Sequence, residues 1–333
     1  MTKKMNEAVP VQAEKMTDPR SLAVEMAPME GITTAIFRRV YAKWFDGIDR
    51  AYTPFLVANG THKFKNREKQ EYSPFTENLI PQILTDRAEH FLWAAGELQK
   101  AGYREVNLNA GCPSATVTTK GKGAGMLEDP EKLRSFFDET FNTKNPDELP
   151  QISVKMRVGV SSYDEAEKLA GICAGYPISR LIVHPRIRDD LYNNVPNLDA
   201  FRFFYEKIPH EKLVYNGDLK TPEDVEKITK LFPGLQSVMI GRGLLADPFL
   251  PSKLHGEYNK NGGEPRILAG FLNELYDEYK KIMSDERSVL FKMKDIWNFM
   301  SASFPENSKQ VKAIKKSKNG MEYKTAVREL LKL

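Results

Sequence analysis

Short apolar runs alternate with helical stretches along the first three quarters of the chain. Eight runs have the length and the bounding turn residues of buried β-strands. They span residues 21–29, 49–56, 79–84, 106–109, 151–157, 180–184, 212–216 and 236–240. Most are followed by a stretch in which apolar side chains recur every three or four positions, as in residues 35–44, 86–100, 130–141 and 163–174. Strands alternating with helices predict an α/β fold, and eight such units predict a (β/α)8 TIM barrel.

Residues 58–78 interrupt this alternation with a long polar segment. A segment of more than about twelve residues without its own secondary structure is usually functional or disordered in a compact domain. We therefore expect a loop here, and the sequence leaves its role open.

The strand pattern ends after residue 240. A stretch rich in glycine and asparagine at 256–265 predicts a linker, and residues 266–284, 289–300 and about 310–333 have helical periodicity. The predicted organisation is a flexible leader at 1–20, a catalytic barrel at 21–255, the linker, and a small all-helical domain at 266–333.

Composition describes an ordinary globular protein. The 333 residues are 41% hydrophobic and 28% charged, with a formal net charge of +4. No apolar run has transmembrane length, and the first twenty residues lack the apolar centre of a signal peptide. Two cysteines far apart in the sequence suit a reducing compartment. We expect a monomeric cytoplasmic protein with no membrane partner and with Cys173 in the core.

The central strand leads into a cysteine with unusual neighbours. Val106 to Asn109 alternate apolar and amide side chains, so the amides face a different layer from the apolar groups. Gly111 and Pro113 then hold Cys112 on a stiff turn, which makes its thiol a candidate proton donor or nucleophile. The alternative is a buried structural cysteine. The polar, basic stretch 116–125 favours the first interpretation, because we expect a mobile loop that could close over a substrate.

Polar or small residues recur where the predicted strands end. In a (β/α)8 barrel the carboxyl ends of the strands converge on the active site, so these residues are expected to line one cavity although they are distant in sequence. They are Pro28, Met29, Gln82, Cys112, Lys155, His184, Asn216 and Gly241.

The residues after strands seven and eight predict a phosphate site. Asn216-Gly217-Asp218 and Gly241-Arg242-Gly243 lie where barrels commonly bind phosphate. Backbone N–H groups of glycines together with one guanidinium suit a phosphate monoester.

Three further side chains suit a flat ring beside that phosphate. Lys155 can stabilise negative charge on the ring, although it can equally form a buried ion pair. Gln82 and His184 can contact the edge of a heterocycle, or can be satisfied inside the barrel. Together these groups indicate flavin mononucleotide (FMN) as the cofactor. No dinucleotide glycine fingerprint precedes a helix, and no His/Cys/carboxylate cluster suggests a metal site.

Seven motifs together resemble the tRNA-dihydrouridine synthase family. The cysteine segment with its downstream Gly-x-Gly is specific to that family, whereas the other motifs are shared more widely among flavin barrels. In chain order they are Ala27-Pro28-Met29-Glu30-Gly31, Asn107-Leu108-Asn109-Ala110-Gly111-Cys112-Pro113-Ser114, Gly123-Ala124-Gly125-Met126-Leu127, Lys155-Met156-Arg157, His184-Pro185-Arg186, Asn216-Gly217-Asp218 and Gly241-Arg242-Gly243. The similarity runs from about residue 21 to 250, and the helical tail resembles that family's C-terminal RNA-binding domain.

The resemblance implies a flavoenzyme in which FMN, reduced by NADPH, reduces a uridine of tRNA to 5,6-dihydrouridine. Hydride would pass from N5 of FMN to C6 of the uracil, and Cys112 would be the catalytic acid that protonates C5. A thiol with an ordinary pKa of about 8.5 is mostly protonated at pH 7. The uracil would be held by Asn109, Lys155 and Arg157, with Arg186 as a further substrate contact. The residues implied to hold FMN are Ala27, Pro28, Met29, Gln82, Lys155, His184, Asn216, Gly217, Asp218, Gly241 and Arg242.

Five lysines with few acids nearby form a basic cluster in the helical tail: Lys309, Lys312, Lys315, Lys316 and Lys318. The ordinary interpretation is a solvated helix face. A basic cluster next to a barrel active site also suits an extended anionic partner such as RNA. With the resemblance, Lys312, Lys315 and Lys316 are predicted to contact the phosphates of tRNA.

Two other functions stay open at this point. An FMN-dependent barrel oxidoreductase that acts on a free pyrimidine or on dihydroorotate would not need a basic helical tail. A non-catalytic RNA-binding barrel would need neither Cys112 nor a complete flavin site.

Overall fold

The structure is a computed structural model that describes residues 21–142, 149–256, 258 and 263–333. The predicted leader at 1–20 and part of the predicted linker at 256–265 lie outside the described residues. Within the described part, no helix has both the length and the apolar character needed to cross a membrane.

Ten parallel strand segments form the wall of a barrel. They are β1 (Ala23–Met26), β2 (Arg50–Tyr52), β3 (Leu56–Val57), β4 (Leu79–Ile80), β5 (Gln82–Leu84), β6 (Glu105–Ala110), β7 (Gln151–Gly159), β8 (Leu181–Ile187), β9 (Leu213–Tyr215) and β10 (Ser237–Ile240). β2 with β3 makes the second barrel strand, and β4 with β5 makes the third. β5 pairs with β6, and each strand from β6 to β9 pairs with the next one in the chain. The ring closes because β10 pairs with β1, β1 with β2, β2 with β4, and β3 with β5. The (β/α)8 prediction is confirmed.

Two prolines divide the second and third barrel strands. Pro54 lies between β2 and β3, and Pro81 lies between β4 and β5. Proline has no N–H to donate to a neighbouring strand. Across the gap, Thr53 donates its N–H to the Ile80 carbonyl at 3.1 Å, and Gln82 donates its N–H to Oγ1 of Thr53 at 2.9 Å. The two strands therefore stay joined where the regular ladder is interrupted.

Side chains of β6 alternate between the two faces of the barrel wall, as the sequence predicts. Val106 and Leu108 are buried in the apolar core shared with the helices. Asn107 faces the interior, where it donates to Oγ of Ser153 at 3.0 Å. Interior amides on this strand can therefore interact with residues of the neighbouring strands.

Polar side chains fill the amino-terminal end of the barrel. The fully buried Glu25 accepts hydrogen bonds from the Tyr52 hydroxyl at 2.8 Å and from Oγ of Ser237 at 2.7 Å, and it forms an ion pair with Arg180. An apolar layer lies above it, formed by Ala27, Tyr52, Ile80, Ile182, Val214 and Met239.

Helices surround this barrel. They are α1 (Ala35–Trp44), α2 (Asn66–Tyr72), α3 (Ala88–Lys100), α4 (Ala115–Thr118), α5 (Pro130–Phe141), α6 (Glu165–Ala174), α7 (Leu198–Lys207), α8 (Pro222–Leu231), α9 (Arg242–Ala246) and α10 (Leu250–His255). The helix α2 lies inside the segment 58–78, so the prediction of a loop there was wrong for residues 66–72.

Helix α2 has no buried residue, and therefore no apolar periodicity that the sequence could display. Two carboxylates fix it instead. Glu68 accepts from the N–H groups of Val57 and Lys65 at 3.0 and 2.7 Å, and Glu71 forms an ion pair with Arg38 at 3.2 Å.

The segment expected to be a mobile loop at 116–125 is largely folded. Helix α4 is followed by a short 3-10 helix at Gly123–Leu127 whose five residues are all buried. Gly123 has a φ of +57°, and a Cβ there would lie 2.7 Å from the Cys112 carbonyl oxygen. The prediction was wrong because two of these glycines serve close packing, Gly123 against Cys112 and Gly125 against the Thr118 backbone.

The C-terminal helices are α11 (Glu264–Ile282), α12 (Glu286–Met300), α13 (Ser308–Lys316) and α14 (Gly320–Leu331). The helix predicted at 310–333 is thus two helices. Asn319 begins the second by accepting a hydrogen bond from the Glu322 N–H at 2.9 Å, which is the usual role of asparagine at a helix N-terminus.

The helical domain is docked against the barrel. Gly270 of α11 faces the Trp44 ring so closely that a Cβ would overlap it. The Trp44 indole donates to Glu274 at 2.8 Å, and Lys43 pairs with the same carboxylate. On α12, the Lys292 ammonium donates to the Gly31 carbonyl. These contacts bring α12 to the loop that follows β1.

Candidate active site

A cavity of about 280 Å³ opens at the carboxyl ends of the barrel strands. Nine of the residues predicted to hold a cofactor line it: Ala27, Pro28, Met29, Lys155, His184, Asn216, Asp218, Gly241 and Arg242. Residues that are more than 200 positions apart in sequence therefore line one cavity, as the positions of the strand ends predict.

The turn from β10 into α9 forms one end of the cavity. Gly241, Arg242 and Gly243 all line it. A Cβ on Gly243 would overlap the carbonyl oxygen of Leu219, so only glycine fits there. The first turn of a helix leaves its N–H groups without partners inside the helix. Together with the Arg242 guanidinium, this end can bind an anionic group such as a phosphate.

Asp218 organises the arginines at this end. Arg186 donates to both of its carboxylate oxygens, at 3.0 and 2.6 Å, and Arg242 forms a second ion pair with it. Burial raises the pKa of Asp218, but the hydrogen bonds and charges of Arg186 and Arg242 outweigh it and lower the pKa below its ordinary value. Asp218 is therefore a carboxylate, which fixes the Arg242 guanidinium at the cavity.

Arg186, predicted as a substrate contact, does not line this cavity. Its side chain is 1% exposed, and it donates to Asp218 and to the Asn194 carbonyl at 2.6 Å. Its third contact, from Nη1 to Nε2 of His184, measures 3.3 Å. The structure gives Arg186 a positioning role behind the cavity.

His184 is held neutral and in one tautomer. Burial, together with the charges of Lys155 and Arg157, places its pKa well below the ordinary value. Its Nδ1 contacts the carbonyl oxygen of Asn216. A carbonyl can only accept, so Nδ1 carries the proton and Nε2 accepts from Arg186. His184 therefore presents a fixed, uncharged ring to the cavity.

Gln82 and Asn109 lie behind the cavity wall. The Gln82 amide donates to Oδ1 of Asn107 at 2.8 Å and accepts from Nδ2 of Asn109 at 2.8 Å. Oδ1 of Asn109 accepts from the N–H groups of Gly111 and Cys112, at 3.1 and 2.9 Å. This amide chain links the barrel interior to the cysteine turn and sets its position. Gly217, like Gln82, is buried and does not line the cavity.

Cys112 lies on this turn and is partly exposed. It does not itself line the cavity, but the preceding Gly111 does, as do the nearby cations Lys155 and Arg157. Burial raises the pKa of its thiol, although the charges of Lys155 and Arg157 act in the opposite direction. The thiol therefore keeps its proton at neutral pH. Cys173 is fully buried, as expected for a core cysteine.

Lys155 and Arg157 line the cavity beside this thiol. Burial, together with the neighbouring Arg157 charge, lowers the pKa of Lys155 to about 8. Arg157 donates to the carbonyls of Gly111, Ile187 and Leu191. The arginine thus fixes the surrounding loops, while Lys155 is the cation that titrates near neutral pH.

Two aromatic residues of the site are not predicted from the sequence. The Tyr192 ring contacts the guanidinium groups of both Arg157 and Arg242, which are 5.3 and 4.8 Å from its ring centre. Phe299 comes from α12 of the helical domain. Tyr192 is not at a strand end, because it follows strand six by several residues. Phe299 reaches the cavity only because the helical domain docks against the barrel.

The three predicted tRNA contacts Lys312, Lys315 and Lys316 line a different cavity, on the helical domain. In the part of the chain that the structure describes, no group of three or more His, Cys, Asp or Glu side chains could hold a metal ion.

The main cavity fits FMN. A glycine-lined turn with an arginine suits the phosphate, and the apolar Ala27, Met29 and Met239 beside Lys155 suit a flat, electron-rich ring.

The sequence matches one protein family over almost its whole length. The family model described as dihydrouridine synthase matches residues 25–331. A probable tRNA-dihydrouridine synthase of Staphylococcus aureus (strain COL) is 27% identical over 266 residues, which cover 77% of this chain and 78% of that protein. Probable tRNA-dihydrouridine synthase 2 of Bacillus subtilis (strain 168) is 27% identical over 273 residues, which cover 79% of this chain and 80% of that protein.

A solved structure of 2-naphthoyl-CoA reductase with 2-naphthoyl-CoA is also similar. Its TM-score is 0.51 at 11% sequence identity, and the match covers 70% of this chain and 49% of that chain. At this identity the likeness concerns the fold alone.

Proposed function

This chain belongs to the dihydrouridine synthase family, and from that premise we propose that it is a flavin-dependent oxidoreductase that reduces the C5=C6 bond of a uridine in tRNA, giving 5,6-dihydrouridine. The observation that carries the proposal is the position of a protonated thiol next to the cavity. Cys112 directly follows Gly111, which lines the cavity, and it is near enough to the lining residue Lys155 for that charge to act on the pKa of the thiol.

FMN is the proposed cofactor. Its phosphate would lie at Gly241 and Arg242, and its ring would lie along the strand ends near Lys155. Reduced FMN, regenerated by NADPH, would supply a hydride to C6 of the uracil. His184 and Asn216 support the ring as neutral groups fixed by the barrel.

The uracil would lie next to Lys155 and Arg157, against the cysteine turn that Asn109 holds in place. The base must leave its stack to enter such a cavity. Lys155 stabilises negative charge that develops on the uracil while it is reduced.

Cys112 completes the reduction. Its S–H bond breaks and the proton passes to C5, so the reduced base carries one hydride and one proton while the thiolate regains its proton from water. A thiol whose pKa is raised by burial is protonated before the step begins.

The lysines Lys312, Lys315 and Lys316 would provide phosphate contacts for the rest of the tRNA. All three are exposed, and in the described part of the chain none has an ion-pair partner. Such contacts give salt-dependent affinity without reading sequence.

The deciding experiment uses the purified protein, which we expect to carry bound flavin. With NADPH and tRNA lacking dihydrouridine, nucleoside analysis should detect dihydrouridine. Cys112→Ala should retain flavin and lose about 10²–10⁴-fold in turnover. Cys173→Ala is the matched control: it removes the other thiol, which is buried in the core, and should keep turnover.

A protein that turns over a free pyrimidine or dihydroorotate but leaves tRNA unchanged would contradict the proposal. So would flavin-free protein that binds tRNA without modifying it. Undiminished dihydrouridine formation by Cys112→Ala would remove the cysteine from its role as the acid.

A further inference from the structure

A second cavity, of about 380 Å³, lies on the helical domain between the end of α12 and α13. Its lining residues are Ser301, Phe304, Pro305, Ser308, Val311, Lys312, Lys315 and Lys316. The floor is apolar and the α13 side carries three lysines, while no carboxylate from the described residues lines it. The volume lies within the range of about 300–1,000 Å³ that small-molecule groups occupy in proteins.

Phe304 gives this cavity an aromatic surface with a rigid support. Its ring packs against the fully buried Trp297, with ring centres 6.0 Å apart. Trp297 in turn donates its indole N–H to the Tyr323 hydroxyl at 3.0 Å, inside the helical core. Phe304 is therefore backed by the domain core, and it is half-buried where it lines the cavity.

An aromatic ring beside clustered cations is the arrangement by which proteins bind unpaired nucleotides. The ring stacks on a base, whatever its identity, and the cations contact the backbone phosphates. A solvated lysine face needs no cavity next to it, and Phe304, Pro305 and Val311 offer nothing to a duplex backbone. The chemistry therefore fits one unpaired nucleotide better than a helical stretch of RNA.

The segment that carries Phe304 also reaches the active site. Phe299 lines the first cavity, five residues before Phe304 lines the second. Between them, Oγ of Ser303 donates to the Ala246 carbonyl at 2.7 Å, at the end of α9 whose start forms the phosphate end of the active site. Five residues of helix rise roughly 8–10 Å. One or two nucleotides of a single-stranded segment can span such a separation.

We propose that the cavity at Phe304 binds an unpaired nucleotide near the target uridine in the same RNA, with the base stacked on Phe304 and its phosphates at Lys312, Lys315 and Lys316. The inference rests on the proposed function for the identity of the RNA. It adds a second base-binding site, which holds the RNA next to the active site while the uridine is extruded.

The test measures tRNA affinity of full-length, flavin-loaded protein at several salt concentrations. Phe304→Leu keeps the apolar volume but removes the aromatic ring. It should weaken tRNA binding about tenfold, the loss expected for one stacked base, and should leave the dependence on salt unchanged because no cation is removed. Phe304→Trp should restore affinity.

Phe291→Ala is the matched control. Phe291 lies on α12 as well, but it is 57% exposed and does not line the cavity. This variant should bind tRNA as the unchanged protein does. Thermal unfolding and flavin absorbance of each variant will show that the fold and the cofactor site are intact.

Unchanged tRNA affinity in a folded Phe304→Leu protein would overturn the proposal and leave the cavity to another partner, such as an acidic protein segment. If dihydrouridine forms while Phe304→Leu binds normally, only this inference fails. If tRNA binding depends on Phe304 but no dihydrouridine forms, the inference stands and the proposed function fails.

Discussion

At the residue scale, burial shifts the pKa values of two neighbouring groups in opposite directions. It disfavours the charged form of either group, so it raises the pKa of the Cys112 thiol and lowers that of the Lys155 ammonium to about 8. The same burial keeps His184 neutral. A protonated thiol, the proposed acid, therefore lies next to the cavity, and the cavity wall contains one lysine that changes charge near physiological pH.

We predict that Lys155 makes the rate of the proposed reduction depend on pH. Its charge is present below about pH 8 and is lost above it, whereas the thiol stays protonated to higher pH. The rate of uridine reduction in single turnovers with saturating tRNA should therefore fall about tenfold per pH unit above that value. Lys155→Arg should move the fall to higher pH, because a guanidinium keeps its proton.

The control for this prediction is Lys155→Met, which should be slow at every pH and should have no fall near pH 8. If Lys155→Arg has the same pH profile as the unchanged protein, another group is responsible for the fall.

At the element scale, backbone geometry decides the shape of the phosphate end. Helix α9 can begin next to the turn after β9 because Gly243 has no Cβ to meet the Leu219 carbonyl. The motif Gly-Arg-Gly alone is compatible with a simple turn. The structure explains why the second glycine, Gly243, is needed: two loops from different barrel strands meet there.

Gly243→Ala should lower the free energy of unfolding by at least about 1–3 kcal/mol, because the added methyl group overlaps backbone that cannot rotate away. It should also weaken flavin retention, since the turn lines the cavity. Chemical denaturation and flavin absorbance measure the two effects.

The matched control is Gly171→Ala in α6, where no heavy atom lies within 4 Å of the added Cβ. There the same change should stabilise the protein by about 0.5–1 kcal/mol, since alanine favours helix. Equal effects at the two glycines would contradict the steric account of Gly243.

At the scale of the whole molecule, the helical domain belongs to the active site. Phe299 of α12 lines the cavity, and Lys292 donates to the loop after β1. The basic cluster of α13 lies next to this shared wall instead of on a detached tail. RNA held by these lysines, as proposed, would therefore be presented to the cavity by the same helical domain that contributes Phe299 to its wall.

Replacing Lys312, Lys315 and Lys316 with glutamine should weaken tRNA binding and reduce the slope of log affinity against log salt by roughly 2–3, because three phosphate contacts are lost. Titrations at several salt concentrations measure this slope. The control removes the same charge from Lys132, Lys168 and Lys230, which are exposed on barrel helices α5, α6 and α8. Similar slopes for both triple variants would indicate that the α13 lysines form an ordinary solvated helix face.

The sequence by itself determined the parallel barrel, the helical tail and most residues of the cavity. Strand and helix periodicity are local, and a closed parallel barrel necessarily brings strand ends such as Lys155, His184 and Gly241 together. Only the tertiary structure decided the rest. Helix α2 is held by carboxylates, Arg186 is turned onto Asp218, and Phe299 arrives by domain docking. Each of these depends on contacts between distant residues, which no periodicity along the chain records.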